Sequence, residues 1–232
     1  RVAVIDGVSD TVMATVEIGY PLTAMAYNAG GNKLYCVRST GSWTSDSVVI
    51  IDGASDSIIT TVGVGGGSFL LACNPTSNKI YCASLFNHDL SVIDGSSDSV
   101  MAKVKIGDYP RALVHNFANN KIYCANELSD NITVIDGAGD SVIATVGGWA
   151  DPTSLLYCSV NNRIYCTNRG SNNVTIIHGV SDSIVGLVAV SDAPHDLVFN
   201  PAGNKIYCAN ASSNSVSIID GFNDSVIGEV AV

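Results

Sequence analysis

A unit of about 42 residues, copied along the chain, constrains the fold more than any other feature of the sequence. The triplet Ile-Asp-Gly puts Asp6, Asp52, Asp94, Asp136 and Asp220 at one repeat position, and His178 stands there in the remaining copy. The steps between them are 46, 42, 42, 42 and 42 residues. A second anchor keeps the same step: NKLYC, NKIYC, NKIYC, NRIYC and NKIYC end at Cys36, Cys82, Cys124, Cys166 and Cys208. Units of this length bury their apolar faces only by stacking on their neighbours.

Each unit holds four short apolar runs divided by turn residues, as in PRALVHN, NKIYCAN, NITVIDG and DSVIATV between Tyr109 and Val146. The runs are short and rich in β-branched residues, so they read as strands, A to D in order. Several are apolar on both faces, as a sheet stacked between two others requires. The pattern predicts an all-β fold, a β-propeller of four-stranded blades. A single domain is expected over 1–232, with a half-blade at 1–19 and complete blades at about 20–65, 66–107, 108–149, 150–191 and 192–232. Five complete blades and the leading half-blade favour six blade positions.

IYCAN followed by VIDG and DSVIATVGG resembles the YVTN family of β-propeller repeats, with Cys standing where that family usually has Val. The resemblance covers almost the whole chain. It implies a propeller fold and extracellular, surface-layer or binding roles.

DGVSDT, DGASDS, DGSSDS, DGAGDS, HGVSDS and DGFNDS all fall between strands C and D. A motif repeated six times is a turn rather than an active site. Gly is expected to supply a positive φ there, and the Asp and Ser side chains to bond nearby backbone N–H groups. The order of ligands in an EF-hand is missing and His178 would be a poor calcium ligand, so no metal and no cofactor is expected. Lys33, Lys79, Lys121, Arg163 and Lys205 recur just before strand B and read as architecture.

Five of the seven cysteines share one strand-B position, and neighbouring blades hold such positions at about the 10 Å sheet-packing distance, beyond disulfide reach. Cys73 with Cys82, and Cys158 with Cys166, lie on consecutive strands but out of register. All seven are expected to be reduced, buried thiols. Asn131, Asn173, Asn210 and Asn223 begin Asn-x-Ser/Thr triplets, and the first three are the candidate glycosylation sites.

A formal charge of −10 argues against nucleic acid as a partner. No run reaches the roughly 18 apolar residues of a membrane-spanning helix, so no membrane insertion is expected. Departures from the repeat gather on the face that carries the B–C and D–A loops. Trp43, Trp149, Tyr20, Tyr109 and Phe86, with Arg38, Arg111 and Arg169, are the candidate binding residues there, and His88 and His195 lie nearby. His115 occupies a strand-A position filled by Tyr157 and Phe199 elsewhere and reads as a core histidine.

Common hydrolase and nucleotide motifs are missing. The sequence therefore predicts a non-enzymatic extracellular or cell-surface module, structural or for recognition, with no catalytic residues. Its expected partner is a protein or glycan on the loop face, and self-association is expected through the half-blade. The alternative is a propeller-type hydrolase, of the lactonase or glycosidase class, with its site at the central loop face.

Overall fold

The computed structural model describes residues 1–40 and 46–232. It contains two compact units, Arg1–Lys105 and Ile106–Val232. In the first unit, β1 (Val2–Ile5) and β2 (Val12–Val16) form a two-stranded sheet. Two four-stranded sheets follow: β3 (Leu22–Asn28), β4 (Lys33–Arg38), β5 (Ser47–Asp52) and β6 (Ile58–Gly63), then β7 (Ser68–Asn74), β8 (Lys79–Ser84), β9 (Asp89–Asp94) and β10 (Ser99–Lys105).

The second unit has three such sheets. The first comprises β11 (Pro110–Asn116), β12 (Lys121–Asn126), β13 (Asn131–Asp136) and β14 (Ser141–Gly147). The next comprises β15 (Pro152–Cys158), β16 (Arg163–Asn168), β17 (Asn173–His178) and β18 (Ile184–Ala189). The last comprises β19 (Pro194–Asn200), β20 (Lys205–Asn210), β21 (Ser215–Asp220) and β22 (Ser225–Ala231). Every sheet is an antiparallel meander, as short β-branched runs joined by tight turns dictate. This is the all-β propeller architecture that the repeat requires.

Burial follows strand position. The middle strands are covered on both faces, as β8 and β9 show, while the last strand alternates and is largely exposed, as in β14. First strands lie side by side, β3 with β7 in one unit, and β11 with β15 and β15 with β19 in the other. Tyr35, Tyr81, Tyr123 and Tyr165, one per strand B, are fully buried.

The repeated cation and that tyrosine form one device. Lys33 Nζ lies 2.7 Å from Asp98 Oδ2, and Tyr35 donates its hydroxyl to Asp98 Oδ1 at 3.2 Å, so one sheet grips the C–D turn of the next. Lys121 and Tyr123 hold Asp182 in the same way, at 2.7 and 2.6 Å. Arg163 and Tyr165 hold Asp224. The tyrosine reaches out of an apolar sheet interface, and the aspartate satisfies a hydroxyl that would otherwise be buried without a partner.

The C–D turns correct one expectation. The positive φ falls on the second aspartate, 54° at Asp56 and 52° at Asp98, and not on the glycine that follows the first. The glycine is needed for close approach instead. A Cβ on Gly53 would stand 2.5 Å from Asn32 Oδ1, because Gly53 donates its N–H to the Asn32 carbonyl at 2.8 Å. The first aspartate caps the turn as expected: Asp94 accepts from the N–H groups of Ser97 and Ser96 at 2.7 and 2.8 Å. Asp136 takes those of Gly139 and Ala138 at 2.9 and 3.3 Å.

These bonds, Ser97's first and Ser96's second, hold the Asp94 carboxyl below its ordinary value of 3.8, and Asp6 and Asp52 are lowered by the same arrangement. A lowered folded pKa gives stability that is complete above the unfolded value and is lost as pH falls through the folded one. The melting temperature should therefore hold down to about pH 4 and fall on further acidification.

Cys73 lies opposite Ile80 and Cys82 opposite Leu71, while Cys158 lies opposite Arg163 and Cys166 opposite Leu155. Neither local pair is in register, and all seven are free thiols. Burial pushes Cys36 up to about 11 and both Cys82 and Cys208 up to about 12. Thiol titration should count seven groups after denaturation, and the native chain near pH 8 should react slowly because six of the seven are buried.

The grip on Asp98 makes a sharper prediction. Asp98→Asn should cost at least about 2 kcal/mol in denaturant unfolding, below the roughly 3–5 of a fully buried pair because both side chains keep some exposure. Asp56→Asn, at the same turn position but without a side-chain donor among the described residues, should stay within about 0.5 kcal/mol of the wild type.

Candidate functional site

The candidate site is built at the start of the first strands. In each one the pairing with strand B slips by a residue, which leaves one residue as a bulge: Thr23, Phe69, Arg111, Thr153 and His195. A bulge re-aims its side chain, and bulges gather next to active sites. Here the bulge recurs in every complete sheet while the side chain ranges over Thr, Phe, Arg and His. That combination lets one scaffold carry separate chemical roles.

In the second unit the three bulges place unlike groups at one repeat position of β11, β15 and β19. Arg111 on β11 is held by Glu127, Nε to Oε2 3.1 Å, with its guanidinium carbon 5.7 Å from the centre of the Tyr109 ring. Thr153 on β15 is buried, its hydroxyl 2.9 Å from that of Thr167 and 3.3 Å from the Pro194 carbonyl. His195 on β19 is exposed. Beside it, Asp196 Oδ1 accepts from Ser154 Oγ at 3.0 Å and from the Leu197 N–H at 2.9 Å. Asp196 also borders an open depression of about 290 Å³ on the exposed face of the last sheet, with Leu197, Val198, Tyr207, Ala209 and Val216. An oriented carboxylate, an exposed imidazole and a fixed guanidinium are the groups that general-base hydrolysis uses.

The residues chosen from the sequence are only partly gathered. Arg38 lies over Tyr20, 5.3 Å from the ring centre, and its Nε donates to Ser47 Oγ at 3.1 Å. Phe86 lines a separate depression of about 350 Å³ with Thr23, Ser68 and Phe69. Trp43 lies outside the described residues. Trp149 is buried in a core with Ala125, Ile132 and Val146, so its ring fills an interior rather than a loop surface. Arg169 is exposed. Among the described residues no three His, Cys, Asp or Glu side chains cluster closely enough to hold a metal ion.

The Asn-x-Ser/Thr triplets have a structural use. Asn126 Nδ2 reaches across the hairpin to Asn131 Oδ1 and Thr133 Oγ1, at 2.8 and 2.9 Å, and Asn168 does the same to Asn173 and Thr175. Asn210 is buried and donates to Ser215 and Ser217, which leaves its amide no room for a glycan in the folded chain. His115 is half-buried in β11, and burial lowers its pKa.

Arg111 and His195 were visible in the sequence as variable charges near loops, whereas Thr153, Ser154 and Asp196 were not singled out. The signal was present. Aligned on the strand-B anchor, the column Thr23, Phe69, Arg111, Thr153, His195 ranges over hydroxyl, aromatic and basic side chains while the Tyr-Cys of strand B stays the same.

Comparisons with known proteins bear on these observations. The family model described as lactonase, 7-bladed beta-propeller, matches residues 65–225. No curated protein matches the sequence. A functionally unknown protein from Desulfotomaculum acetoxidans DSM 771 superposes with a TM-score of 0.75 at 13% identity, over 95% of this chain and 75% of that one. A putative 6-phosphogluconolactonase from Bacteroides uniformis ATCC 8492 gives 0.71 at 15% identity, over 90% and 71%. Kuenenia stuttgartiensis hydrazine synthase gives 0.71 at 18%, over 90% of this chain and 66% of that one.

Likeness at these identities establishes the propeller fold, the level at which the resemblance read from IYCAN and VIDG holds. The expectation of a non-enzyme is corrected: the matching family is one of lactonases, and a putative lactonase is among the structural neighbours. Missing sequence motifs misled there, because a site assembled from several copies of a repeat leaves no contiguous motif.

If the bulge column carries function rather than stability, His195→Ala should leave the denaturation midpoint within about 0.5 kcal/mol of the wild type, as for other exposed positions.

Proposed function

Because the chain belongs to the family of lactonases built on a seven-bladed β-propeller, we propose that it is a hydrolase that opens small cyclic esters. Asp196 carries the reading, an exposed carboxylate oriented by Ser154 at the edge of an open depression of about 290 Å³, with His195 the preceding residue of β19.

In the proposed reaction a water oxygen bonds to the lactone carbonyl carbon while its proton passes to the His195–Asp196 pair. The ring C–O bond then breaks, and the departing alkoxide recovers the proton to give a hydroxy acid. Arg111, on β11 at the same strand position as His195, supplies positive charge for an anionic substituent of the substrate or for the carbonyl oxygen as it gains charge. Glu127 and Tyr109 keep its guanidinium in place.

The test is acid release in a pH-stat with unsubstituted, polyhydroxylated and anionic γ- and δ-lactones. Turnover above the spontaneous rate is expected. His195→Ala and Asp196→Asn should each lower kcat by about 10²–10⁴-fold, the range for loss of a general base. Arg111→Met should raise KM for the anionic lactone more than for an uncharged one. Spontaneous rates with every lactone would overturn the proposal.

A further inference from the structure

In four of the five complete sheets, the last residue of strand B reaches across its hairpin and donates to the first residue of strand C. Arg38 donates to Ser47 at 3.1 Å, Asn126 to Asn131 at 2.8 Å, Asn168 to Asn173 at 2.6 Å and Asn210 to Ser215 at 3.2 Å. The three asparagines use the same amide nitrogen a second time, on the hydroxyl two residues further along strand C. Those acceptors are Thr133, Thr175 and Ser217, at 2.9, 2.7 and 2.9 Å. The exception is the sheet of β7 to β10.

There Ser84 ends strand B opposite Asp89, and Ser91 stands where Thr133 stands in the next copy. Ser84 has no amide to offer. Its hydroxyl donates to the Gly66 carbonyl at 2.7 Å and accepts the Asn87 N–H at 3.3 Å. The Ser91 hydroxyl donates to the Val64 carbonyl at 2.9 Å. With both protons committed to the backbone, each hydroxyl presents only lone pairs to the space between the strands.

The carboxylate that shares this space is short of donors. Asp89 is 5% exposed, and its Oδ1 is buried with no hydrogen-bond partner among the described residues. Oδ2 lies 3.7 Å from Lys103 Nζ and 4.0 Å from Lys105 Nζ, beyond hydrogen-bond length, and both lysine side chains reach into solvent. A buried carboxylate oxygen left without a donor is costly, so something must supply positive charge or a proton to Oδ1.

We propose that the space between Asp89 Oδ1, Ser84 Oγ and Ser91 Oγ binds a monovalent cation of about potassium's size. It stands where the asparagine amide nitrogen stands in the later copies, 2.6–3.2 Å from its acceptors. Calcium needs oxygens at about 2.3–2.6 Å and magnesium at about 2.0–2.1 Å, so these distances suit a larger ion. One carboxylate matches one positive charge. Three oxygens that can only accept are all satisfied by a cation, whereas the two protons of a water reach two of them. The other copies begin strand C with Ser47, Asn131, Asn173 and Ser215, so the charge that attracts the ion belongs to this sheet. Because Ser84 and Ser91 hold the Gly66 and Val64 carbonyls, the ion ties the loop ahead of β7 to β8 and β9. The inference is independent of the catalytic reading.

The test is thermal unfolding in potassium chloride, with N-methylglucamine chloride holding the ionic strength constant. The melting temperature should rise by about 2 °C or more by roughly 200 mM potassium, the shift in a chain of this size once the ion exceeds its Kd several-fold. Lithium, a smaller ion, should give less than half of that gain. Ser84→Asn restores the amide of the later copies. It should lose the potassium response while melting, in N-methylglucamine, no lower than the original chain. Asp89→Asn should lose the response as well.

Crystals soaked in rubidium chloride should show an anomalous peak beside Asp89 Oδ1 that is missing from Ser84→Asn. A melting temperature indifferent to potassium, or a rubidium map without that peak, would overturn the proposal and assign the space to a water. A potassium response that Ser84→Asn retains would overturn it too, since the ion would then bind elsewhere.

Discussion

The grip of a strand-B cation and tyrosine on the aspartate of the next sheet's turn is the contact on which the rest of the structure depends. Stacked apolar sheets can slide, because dispersion and burial have little directional preference. A charged hydrogen-bonded pair at the rim of the interface fixes the sliding coordinate where Asp98, Asp182 and Asp224 are gripped. Lys33 with Tyr35 on Asp98 does this in the first unit, and Lys121 with Tyr123 on Asp182 does it in the second. The tyrosine is the economical choice: its ring fills the interface and its hydroxyl ends at the carboxylate.

With register fixed by repeated columns, the first strand is free to vary. Its bulge holds the backbone in one geometry, and the side chain there changes from Thr23 to Phe69, Arg111, Thr153 and His195. In the proposed reading, stability and chemistry are divided between separate positions of one unit.

Much of the architecture was legible because it is periodic. Sheet number, strand order and the capping role of the first turn aspartate all follow from alignment of the copies on Ile-Asp-Gly and Ile-Tyr-Cys. Three features were less legible. The turn glycine is kept for close approach to an asparagine rather than for positive φ, a fact about a contact between two turns. Trp149 lies under a loop, and composition does not separate a buried loop aromatic from an exposed one. The site escaped because Ser154 and Asp196 belong to different copies and meet only through packing of β15 on β19. Register predicts which strands pair within a sheet, while side-chain contacts between sheets depend on stacking that no local pattern records.

The central claim is that repeated columns hold the sheets and the bulge column carries the chemistry. The direct measurement is a paired determination of unfolding free energy and lactone turnover for Asp182→Asn and His195→Ala. The account predicts opposite signatures. Asp182→Asn should lose about 2 kcal/mol or more of stability and retain turnover under conditions where it is folded, whereas His195→Ala should keep its stability and lose turnover. Parallel losses of stability and turnover in both variants would contradict it.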